Sequence, residues 1–300
     1  MASVNTVAVI GAGIMGRGIA HVAALGGYRT ILEDILPASL RKAESEIRAN
    51  LDKGVELGKL EKFAAEAALS RIQYAGSVEE AARQADLVIE AVPEEMDSKI
   101  EIFTLLDKIC RPGTILASNT SSLSITEIAS VTYRPRKCLG MHFFNPVHKM
   151  KLLEVVRALE TDDETVAAAL EVGTRMGKEV VVIKESPGFI TSRINAMIGN
   201  EAFYMLQEGI ASAEDIDKAL KLGLNHPMGP FELVDLVGLD TRLHILEYLH
   251  KSLGEKFRPA PLLVQHVKAG RLGRKSGRGV FDYPESQKNQ ENSSEAKASH

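Results

Sequence analysis

His142 and Glu154 are the two residues whose types and positions most directly suggest acid–base chemistry. His142 ends one apolar run before a polar loop, and Glu154 is a lone acid inside the run from Leu152 to Val156, where it is poorly placed unless paired. A histidine can act as general base toward a secondary alcohol, and a carboxylate on its other ring nitrogen fixes the tautomer and stabilises the charged form. A core histidine bonded to the backbone, with an edge-strand glutamate facing water, is the alternative. The spacing alone leaves both interpretations open.

A glycine-rich turn follows the first apolar run, Val7–Ile10, and leads directly into a helical pattern. Gly11 permits a tight turn, Gly13 lets the backbone approach a pyrophosphate, and Gly16 lets the helix pack closely on the strand. The N-terminus of the helix would then face the phosphates. Because the motif stands between a strand and a helix, it predicts a dinucleotide-binding β-α-β unit.

The second predicted strand ends in two acids, Glu33 and Asp34. Asp34 lies eighteen residues after Gly16, where an acid would hydrogen-bond the hydroxyls of the adenosine ribose. An acid there repels a 2′-phosphate, so NAD is favoured over NADP, and we expect Glu33 to be the solvated neighbour. The residues predicted to bind the cofactor here are Gly11, Gly13, Ile14, Met15, Gly16 and Asp34.

Short β-branched or apolar runs alternate with longer helical patterns through about the first 180 residues, which is typical of parallel strands joined by crossover helices. The predicted fold class is α/β, with a Rossmann-type, doubly wound, mainly parallel sheet. The charged stretch from Pro37 to Arg71 is longer than one crossover helix needs, and we expect it to form a helical hairpin that stands off the sheet. The predicted strands are Thr6–Ile10, Thr30–Asp34, Ile72–Ala75, Leu87–Ala91, Ile115–Ser118, Cys138–His142, Leu152–Arg157 and Glu179–Ile183.

A second, all-helical domain is predicted after the strand-like runs stop, which gives an NAD-binding domain over residues 1–185 and a helical domain over residues 186–283. The tail, residues 284–300, is rich in Ser, Asn, Gln, Glu and Lys and is expected to be disordered. The predicted helices of the second domain are Phe189–Gln207, Ser212–Leu222 with Ser212 as N-cap, Pro230–Leu253 and Pro261–Ala269. In the first of them, the apolar residues at helical spacing are Ile190, Ile194, Met197, Ile198, Phe203 and Leu206.

Composition excludes several classes of protein. The chain of 300 residues is 45% apolar and 25% charged with a net charge of −4, which is typical of a soluble globular protein and gives no attraction to nucleic acid. No apolar run approaches the roughly 20 residues of a membrane span, and the first strand leaves no room for a leader peptide, so the cytoplasm is the expected location. Cys110 and Cys138 lack metal-ligand spacing, so we expect both to be buried and no metal to be bound.

Together the motifs resemble those of the L-3-hydroxyacyl-CoA dehydrogenases, in particular the short stand-alone bacterial members that act on 3-hydroxybutyryl-CoA. The resemblance spans residues 5 to about 283. It implies an enzyme that interconverts L-3-hydroxyacyl-CoA and 3-oxoacyl-CoA with NAD(H). The matching segments are GAGIMG (11–16) with Asp34, Ile89 to Glu94 with Lys99, SNTSSL (118–123), HFFNP (142–146), LLEV (152–155), SPGFI (186–190) and HPMGP (226–230) continuing to Leu233 and Gly238.

The resemblance assigns roles to the candidate pair, because in the family a histidine and a glutamate with this separation are catalytic. It implies that His142 takes the proton of the C3 hydroxyl while C3 gives hydride to the nicotinamide, and that Glu154 orients and stabilises the imidazolium. Ser121 would hydrogen-bond the C3 oxygen or lie between substrate and nicotinamide, and Asn145 would support the histidine loop. By residue type alone, Ser121 is an ordinary loop serine and Asn145 a turn former.

Further contacts with the cofactor are implied only by the resemblance. Glu94 and Lys99 match family positions near the nicotinamide ribose, although without the family they would be interpreted as a solvated helix start. Asn119, in the SNTSSL run, and Lys275, in a glycine-flanked basic segment, match further positions close to the cofactor.

One position departs from the family pattern. Many members carry an asparagine before the arginine that follows PGFI, with its amide facing the thioester, and this chain has Ser192 there. A hydroxyl keeps one hydrogen bond but lacks the reach of an amide, and Asn195 would compensate only if the helix were rotated or displaced. The CoA tail is expected over the charged stretch after the second strand, near Lys53 and Lys59, for which a solvated helix face is the alternative.

Other functions compete with this interpretation. A dehydrogenase of a free 3-hydroxy acid, or of a dicarboxylic 3-hydroxyacyl-CoA, would share most of the motifs. Phosphogluconate-like enzymes use a lysine base, and no suitable GxxxK helix follows the Rossmann half. A non-catalytic NAD-binding or crystallin-like protein would be favoured by loss of His142 or Glu154, and both are present. The helical domain is too small to enclose a thioester site alone, and the family implies that it forms the contact of a homodimer.

Overall fold

The chain folds as two units, the first ending at Ser186 and the second beginning at Pro187. The structure is a computed structural model that describes residues 4–283, so the predicted tail lies outside the described residues. Within the described range, no helix is long and apolar enough to cross a lipid bilayer.

A single eight-stranded sheet forms the centre of the first unit. Its strands are β1 (Thr6–Ile10), β2 (Arg29–Glu33), β3 (Ile72–Ala75), β4 (Leu87–Glu90), β5 (Ile115–Ser118), β6 (Cys138–Phe143), β7 (Leu152–Arg157) and β8 (Glu179–Lys184). They are arranged in the order β3-β2-β1-β4-β5-β6-β7-β8, and every neighbouring pair is parallel except β6 and β7. The predicted mainly parallel sheet is confirmed, and no predicted strand end differs from the structure by more than one residue.

Helices cover both faces of this sheet because its central strands are apolar on both sides. Val7 and Val9 pack into the core on one face, and Ala8 and Ile10 pack into the core on the other. Cys110 and Cys138 are both buried in the second of these cores, as predicted. The first face is covered by α1 (Ile14–Leu25), α2 (Pro37–Glu56), α3 (Lys62–Arg71) and α7 (Asp163–Arg175), and the second by α4 (Val78–Ala82), α5 (Met96–Ile109) and α6 (Ile125–Ala129).

The segment from Pro37 to Arg71 forms two successive helices, α2 and α3, which confirms the predicted hairpin. We expected this hairpin to stand off the sheet, and that expectation is wrong, because one face of each helix packs into the core beside the sheet. Ile47 and Leu51 of α2 and Ala68 of α3 are buried in the same core as α1. The small alanine side chains let these helices approach the core closely, and only their outer faces are solvated.

The described part of the second unit is built from helices, with isolated β-bridges of Arg278 to Gly273 and to Asp282 as its only extended pairing. Ser212 accepts a hydrogen bond from the backbone N–H of Asp215 and caps its second helix, as predicted. The single helix predicted from Pro230 to Leu253 is wrong, because Gly238, with φ of 104°, ends one helix and begins another. The helices are α8 (Thr191–Gln207), α9 (Ala213–Gly223), α10 (Pro230–Val237), α11 (Leu239–Leu253) and α12 (Pro261–Lys268).

The buried face of α8 is made mainly of small residues rather than of the large apolar residues at helical spacing. Phe203 is fully buried, as the periodicity predicts, but Ile190, Ile194 and Met197 are 49%, 53% and 37% exposed. The residues of α8 that pack inward are Ala196, Gly199, Asn200, Ala202 and Phe203. The periodicity therefore predicted the helix correctly but its buried face only in part. Ile190, Ile194 and Met197 instead form an exposed apolar stripe.

Candidate active site

His142 and Glu154 are brought together by the only antiparallel pair of neighbouring strands in the described sheet. They are directly opposite each other in the register of β6 and β7, so their side chains lie on the same face. Nδ1 of His142 and Oε2 of Glu154 are 2.7 Å apart, and the two side chains are 7% and 1% exposed. Glu154 does not face water, as the alternative interpretation required. The pair has the geometry of an imidazole held and oriented by a carboxylate.

The loop that follows His142 is held by Asn119. The Oδ1 atom of Asn119 accepts a hydrogen bond of 2.9 Å from the backbone N–H of Phe143, and the backbone N–H of Asn119 binds the carbonyl oxygen of Glu90. Asn119 therefore links the ends of three strands, β4, β5 and β6. The ring of Phe144 lies 4.3 Å from the imidazole, centroid to centroid. Asn145, which sequence analysis placed in this loop, is exposed.

A buried ion pair lies beside this loop. Nζ of Lys99 is 2.7 Å from Oε1 of Glu90, and the two side chains are 1% and 0% exposed. The Oγ of Ser118 donates to the second carboxylate oxygen of Glu90 at 2.6 Å, and Lys99 also reaches Glu94 at 3.2 Å. Lys99 is thus not part of a solvated helix start. Sequence analysis missed Glu90, although the argument applied to Glu154, that a lone acid in an apolar run needs a partner, would have found it.

Glu94 connects the ion pair to Ser121. Its Oε1 accepts hydrogen bonds from the hydroxyl of Thr120 at 2.6 Å, the backbone N–H of Ser121 at 2.8 Å and the Ser121 hydroxyl at 3.2 Å. The carboxylate therefore fixes the turn that presents Ser121. The candidate residues Ser121, Glu94, Lys99 and Asn119 form one connected group at the carboxyl ends of β4 and β5, where open α/β sheets bind their ligands.

The glycine turn after β1 has the shape that a pyrophosphate requires. Gly11 has φ of 97°, which L side chains rarely adopt, and a Cβ on Gly16 would overlap the backbone oxygen of Gly11. A Cβ on Gly13, in contrast, would meet no atom within 4 Å, so this backbone opens toward the cleft. Helix α1 begins at Ile14, immediately after it. The residues present therefore fit a dinucleotide phosphate at the helix N-terminus.

Asp34 is held against this turn. Its Oδ2 accepts a hydrogen bond of 3.0 Å from the backbone N–H of Ala12, and its Oδ1 accepts one of 2.9 Å from that of Leu36. Sequence analysis expected Glu33 to be solvated, and this is wrong: Glu33 is only 3% exposed, at the end of β2 between β1 and β3. Both acids line a cleft of about 640 Å³ whose other walls include Ile10, Gly11, Gly13, Ile14, Met15, Val78, Val92 and Ile102.

The remaining candidates lie apart from these contacts or in the second unit. Lys53 forms an ion pair of 3.0 Å with Glu56, and Lys59 is exposed in the turn between α2 and α3. In the second unit, Ser192 is half-buried in the first turn of α8. Lys275, also in that unit, forms an ion pair of 2.6 Å with Asp240 at the start of α11.

A glycine turn that leads into a helix, an acid held against that turn and a histidine–carboxylate pair on one mainly parallel sheet are together the features of an NAD-dependent dehydrogenase. The chain belongs to the 3-hydroxyacyl-CoA dehydrogenase family. Residues 6–186 match its NAD binding domain, and residues 188–283 match its C-terminal domain.

Individual relatives are similar over nearly their whole length. The probable 3-hydroxybutyryl-CoA dehydrogenase of Bacillus subtilis is 48% identical over 94% of this chain and 98% of its own. The 3-hydroxybutyryl-CoA dehydrogenase of Bradyrhizobium diazoefficiens is 46% identical over 94% of this chain and 96% of its own. The crystal structure of (S)-3-hydroxybutyryl-CoA dehydrogenase from Ralstonia eutropha superimposes with a TM-score of 0.91, at 44% identity, over 94% of this chain and all of that one.

Proposed function

We propose that this enzyme interconverts short-chain L-3-hydroxyacyl-CoA, such as 3-hydroxybutyryl-CoA, and the corresponding 3-oxoacyl-CoA. The observation that carries the proposal is the buried contact of 2.7 Å between His142 and Glu154. It supplies a base and its carboxylate at the carboxyl end of the sheet of an NAD-binding domain. The names of the similar proteins from Bacillus subtilis, Bradyrhizobium diazoefficiens and Ralstonia eutropha support this substrate class.

The proposed chemistry divides the two hydrogens of a secondary alcohol between cofactor and protein. NAD, held by the glycine turn and Asp34, would supply the acceptor for the hydride of C3. His142 takes the hydroxyl proton, so the C3–O bond becomes a carbonyl and the imidazole becomes an imidazolium. With Nδ1 directed to Glu154, the proton is exchanged at Nε2. In the reverse direction the imidazolium returns the proton to the C3 oxygen, so one residue serves as base and acid.

Glu154 acts through the histidine. A carboxylate on Nδ1 keeps a proton on that nitrogen, which leaves Nε2 in the basic form, and it stabilises the imidazolium by its negative charge. Because Glu154 is 1% exposed, water screens this attraction little. Removing the negative charge therefore weakens the base while the imidazole remains in place.

Other residues are proposed to position the substrate and cofactor. Ser121 presents its hydroxyl to the C3 oxygen from the turn fixed by Glu94, and Asn145 supports the loop after His142. In the second unit, Ser192 takes the position from which a side chain faces the thioester, and the cofactor contact of Lys275 remains a prediction. The remaining proposed contacts are Glu94, Lys99 and Asn119 toward the cofactor and Lys53 and Lys59 toward CoA.

We propose a homodimer formed through the second unit, and the cytoplasm remains the predicted location. The support for the dimer is an exposed apolar stripe formed by Ile190, just before α8, and by Ile194 and Met197 of α8, because exposed apolar stripes mark interaction surfaces. Light scattering should give twice the chain mass of 32.6 kDa. An Ile194→Glu/Met197→Glu variant should dissociate, whereas Phe63→Glu, at an 81% exposed apolar site of the first unit, should not. A monomeric wild type would contradict the proposal.

The substrate class is tested by following NADH oxidation across a series of 3-oxoacyl-CoA thioesters of increasing length, including the dicarboxylic 3-oxoadipyl-CoA, with free acetoacetate as control. We expect acetoacetyl-CoA to have the highest kcat/KM and free acetoacetate to be inert. A maximum at the dicarboxylic thioester would replace the short-chain assignment with the dicarboxylic one. Turnover of free acetoacetate without turnover of any thioester would overturn the proposed function.

A further inference from the structure

Glu33 is a buried acid with an unsatisfied oxygen at the end of β2. Its side chain is 3% exposed, and its Oε1 has no hydrogen-bond partner among residues 4–283. The pKa of this carboxyl is raised to about 7, chiefly by burial and then by the charge of Asp34, while the backbone N–H of Gly11 acts in the opposite direction. Buried polar atoms almost always have a partner, so the unsatisfied oxygen calls for one outside the described chain.

The position of Glu33 indicates which part of the cofactor would supply that partner. In a Rossmann unit the glycine turn faces the pyrophosphate, and the acid after β2 faces the adenosine ribose. Glu33 lies one residue before that acid and lines the same cleft. The apolar wall of the cleft, which suits a flat aromatic base, is formed by Ile35, Leu36, Val78, Val92, Pro93 and Ile102. Glu33 therefore lines the same cleft as the acid expected to face the ribose and the apolar wall that suits adenine.

We propose that Glu33 forms part of the adenosine subsite and that the cofactor binds with this carboxyl protonated, so that it donates a hydrogen bond to adenosine. A neutral carboxyl group is both a donor and an acceptor, whereas a carboxylate only accepts. Adenosine offers acceptors in its ring nitrogens and ribose oxygens. The neutral form also avoids a buried negative charge next to Asp34 and the pyrophosphate.

The surroundings of Glu33 favour the protonated form. Its neighbours in β1 and β3 are Ile10 and Ala75, and the cleft that it lines is also lined by Val78, Val92 and Ile102, none of which titrates. Asp34 is the negative neighbour that raises the pKa. Glu90, at the end of the neighbouring β4, is compensated by Lys99 at 2.7 Å, and Glu79 and Glu80 in the first turn of α4 are exposed.

A coupling between cofactor affinity and pH follows. The pyrophosphate of the bound cofactor adds negative charge near a carboxyl that is already buried, so the pKa of Glu33 rises further in the complex. Below about pH 7 the acid is largely protonated before the cofactor binds. Above that pH, binding takes up a proton, and the dissociation constant rises by up to roughly tenfold per pH unit until the pKa of the complex is passed.

ADP-ribose is the probe of choice, because it contains the adenosine and both phosphates but lacks the nicotinamide near His142. Its Kd is measured by calorimetry from about pH 6 to about pH 9, in buffers of different ionisation enthalpy that report proton uptake. We expect the wild-type Kd to rise roughly tenfold across this range with uptake of a proton. Glu33→Gln, which keeps the size and a donor, should show no uptake and a nearly constant Kd.

Two further variants separate the parts of the proposal, which rests on the proposed position of adenosine beside Asp34. Glu33→Leu should also be independent of pH but weaker than Glu33→Gln by a few fold, since it has no donor. Equal affinities of these two variants would overturn the hydrogen bond, and an unchanged pH dependence in Glu33→Gln would overturn the role of Glu33. Asp34→Asn should weaken binding at every pH. If it does not, the position of adenosine is wrong, and the thioester assay of the proposed function is unaffected.

Discussion

His142 and Glu154 are direct partners across β6 and β7, the one antiparallel pair of neighbouring strands in the described part of the sheet. This register explains their separation of twelve residues, because the connecting loop turns the chain back beside β6. Opposite residues of an antiparallel pair share a face of the sheet. A shift of one residue in the register would turn Glu154 to the other face, so the strand pairing itself fixes the contact of 2.7 Å.

We expect His142→Gln to remove nearly all turnover. General acid–base catalysis by a positioned side chain contributes about 10²–10⁴-fold, and glutamine cannot take up the proton. The kcat for acetoacetyl-CoA reduction should fall by at least about 10²-fold, while the Kd of NADH remains within about twofold of the wild type. Unchanged turnover in a variant that binds NADH normally would remove His142 from its proposed role.

We expect Glu154→Gln to fold normally and lose activity in kcat rather than in KM. Glutamine keeps the size of the side chain but removes the charge that stabilises the imidazolium, and losses of about 10²–10⁴-fold follow when such an orienting carboxylate is neutralised. The measurement is kcat against pH, with the Kd of NADH as control. If the variant has the kcat and the pH profile of the wild type, Glu154 has only a structural role.

The sequence predicted the strands of the sheet better than it predicted the burial of the acidic residues at their ends, such as Glu33. The glycine motif and Asp34 mark β1 and β2 because their functions require particular residue types at fixed distances. Whether Glu33 is buried depends instead on the pairing of β2 with β1 and β3, which places Ile10 and Ala75 opposite it only in the folded chain. The break at Gly238 had a local signal, a glycine inside a helical pattern, that could have predicted two helices.

The buried ion pair of Lys99 and Glu90 likewise depends on a contact between segments that no sequence motif records. Lys99 was predicted from the family resemblance, but its partner Glu90 was missed, because no motif records that β4 and α5 pack together. The first turn of α8 presents the opposite case, because Ser192 was identified from the sequence by its difference from the family pattern.

We expect Lys99→Met to destabilise the first unit strongly. The substitution leaves the carboxylate of Glu90, which is 0% exposed, without its cation, and breaking a buried ion pair from one side costs about 3–5 kcal/mol. Urea unfolding measures the change. The Glu90→Gln/Lys99→Met double variant removes both charges and should recover a large part of the loss. A double variant that is as unstable as the two single changes added together would show that the two charges do not stabilise each other.

We expect Ser192→Asn to lower the KM for short 3-oxoacyl-CoA. An amide reaches farther than a hydroxyl, and one added hydrogen bond of about 0.5–1.5 kcal/mol corresponds to a decrease of roughly 2–10-fold. The KM for NADH should not change. Ser192→Ala is the matched control and should raise the KM for the thioester by a few fold. If both substitutions leave every KM unchanged, Ser192 does not face the substrate.

We expect acid to destabilise the protein through His21, which is 4% exposed in α1. Burial lowers its pKa to about 4, with further contributions from His148, whose ring lies 5.5 Å away, and from Lys178. Because the folded pKa lies below the unfolded value, the unfolded chain binds more protons between about pH 6.5 and pH 4. The contribution of His21 to the free energy of unfolding is therefore complete above that window and decreases by about 3 kcal/mol as the pH falls through it.

The effect of His21 is isolated by comparison with His21→Gln, because Glu33 acts in the opposite direction. The raised pKa of Glu33 makes the folded state relatively more stable as the pH falls from about 7 to about 4.5, and this contribution is the same in both proteins. Urea unfolding at about pH 7.5 and about pH 4.5 should show the wild type losing about 2–3 kcal/mol more than His21→Gln on acidification. Equal losses would mean that His21 is protonated in the folded protein as readily as in the unfolded chain, and that its burial against His148 and Lys178 does not govern the acid limb of stability.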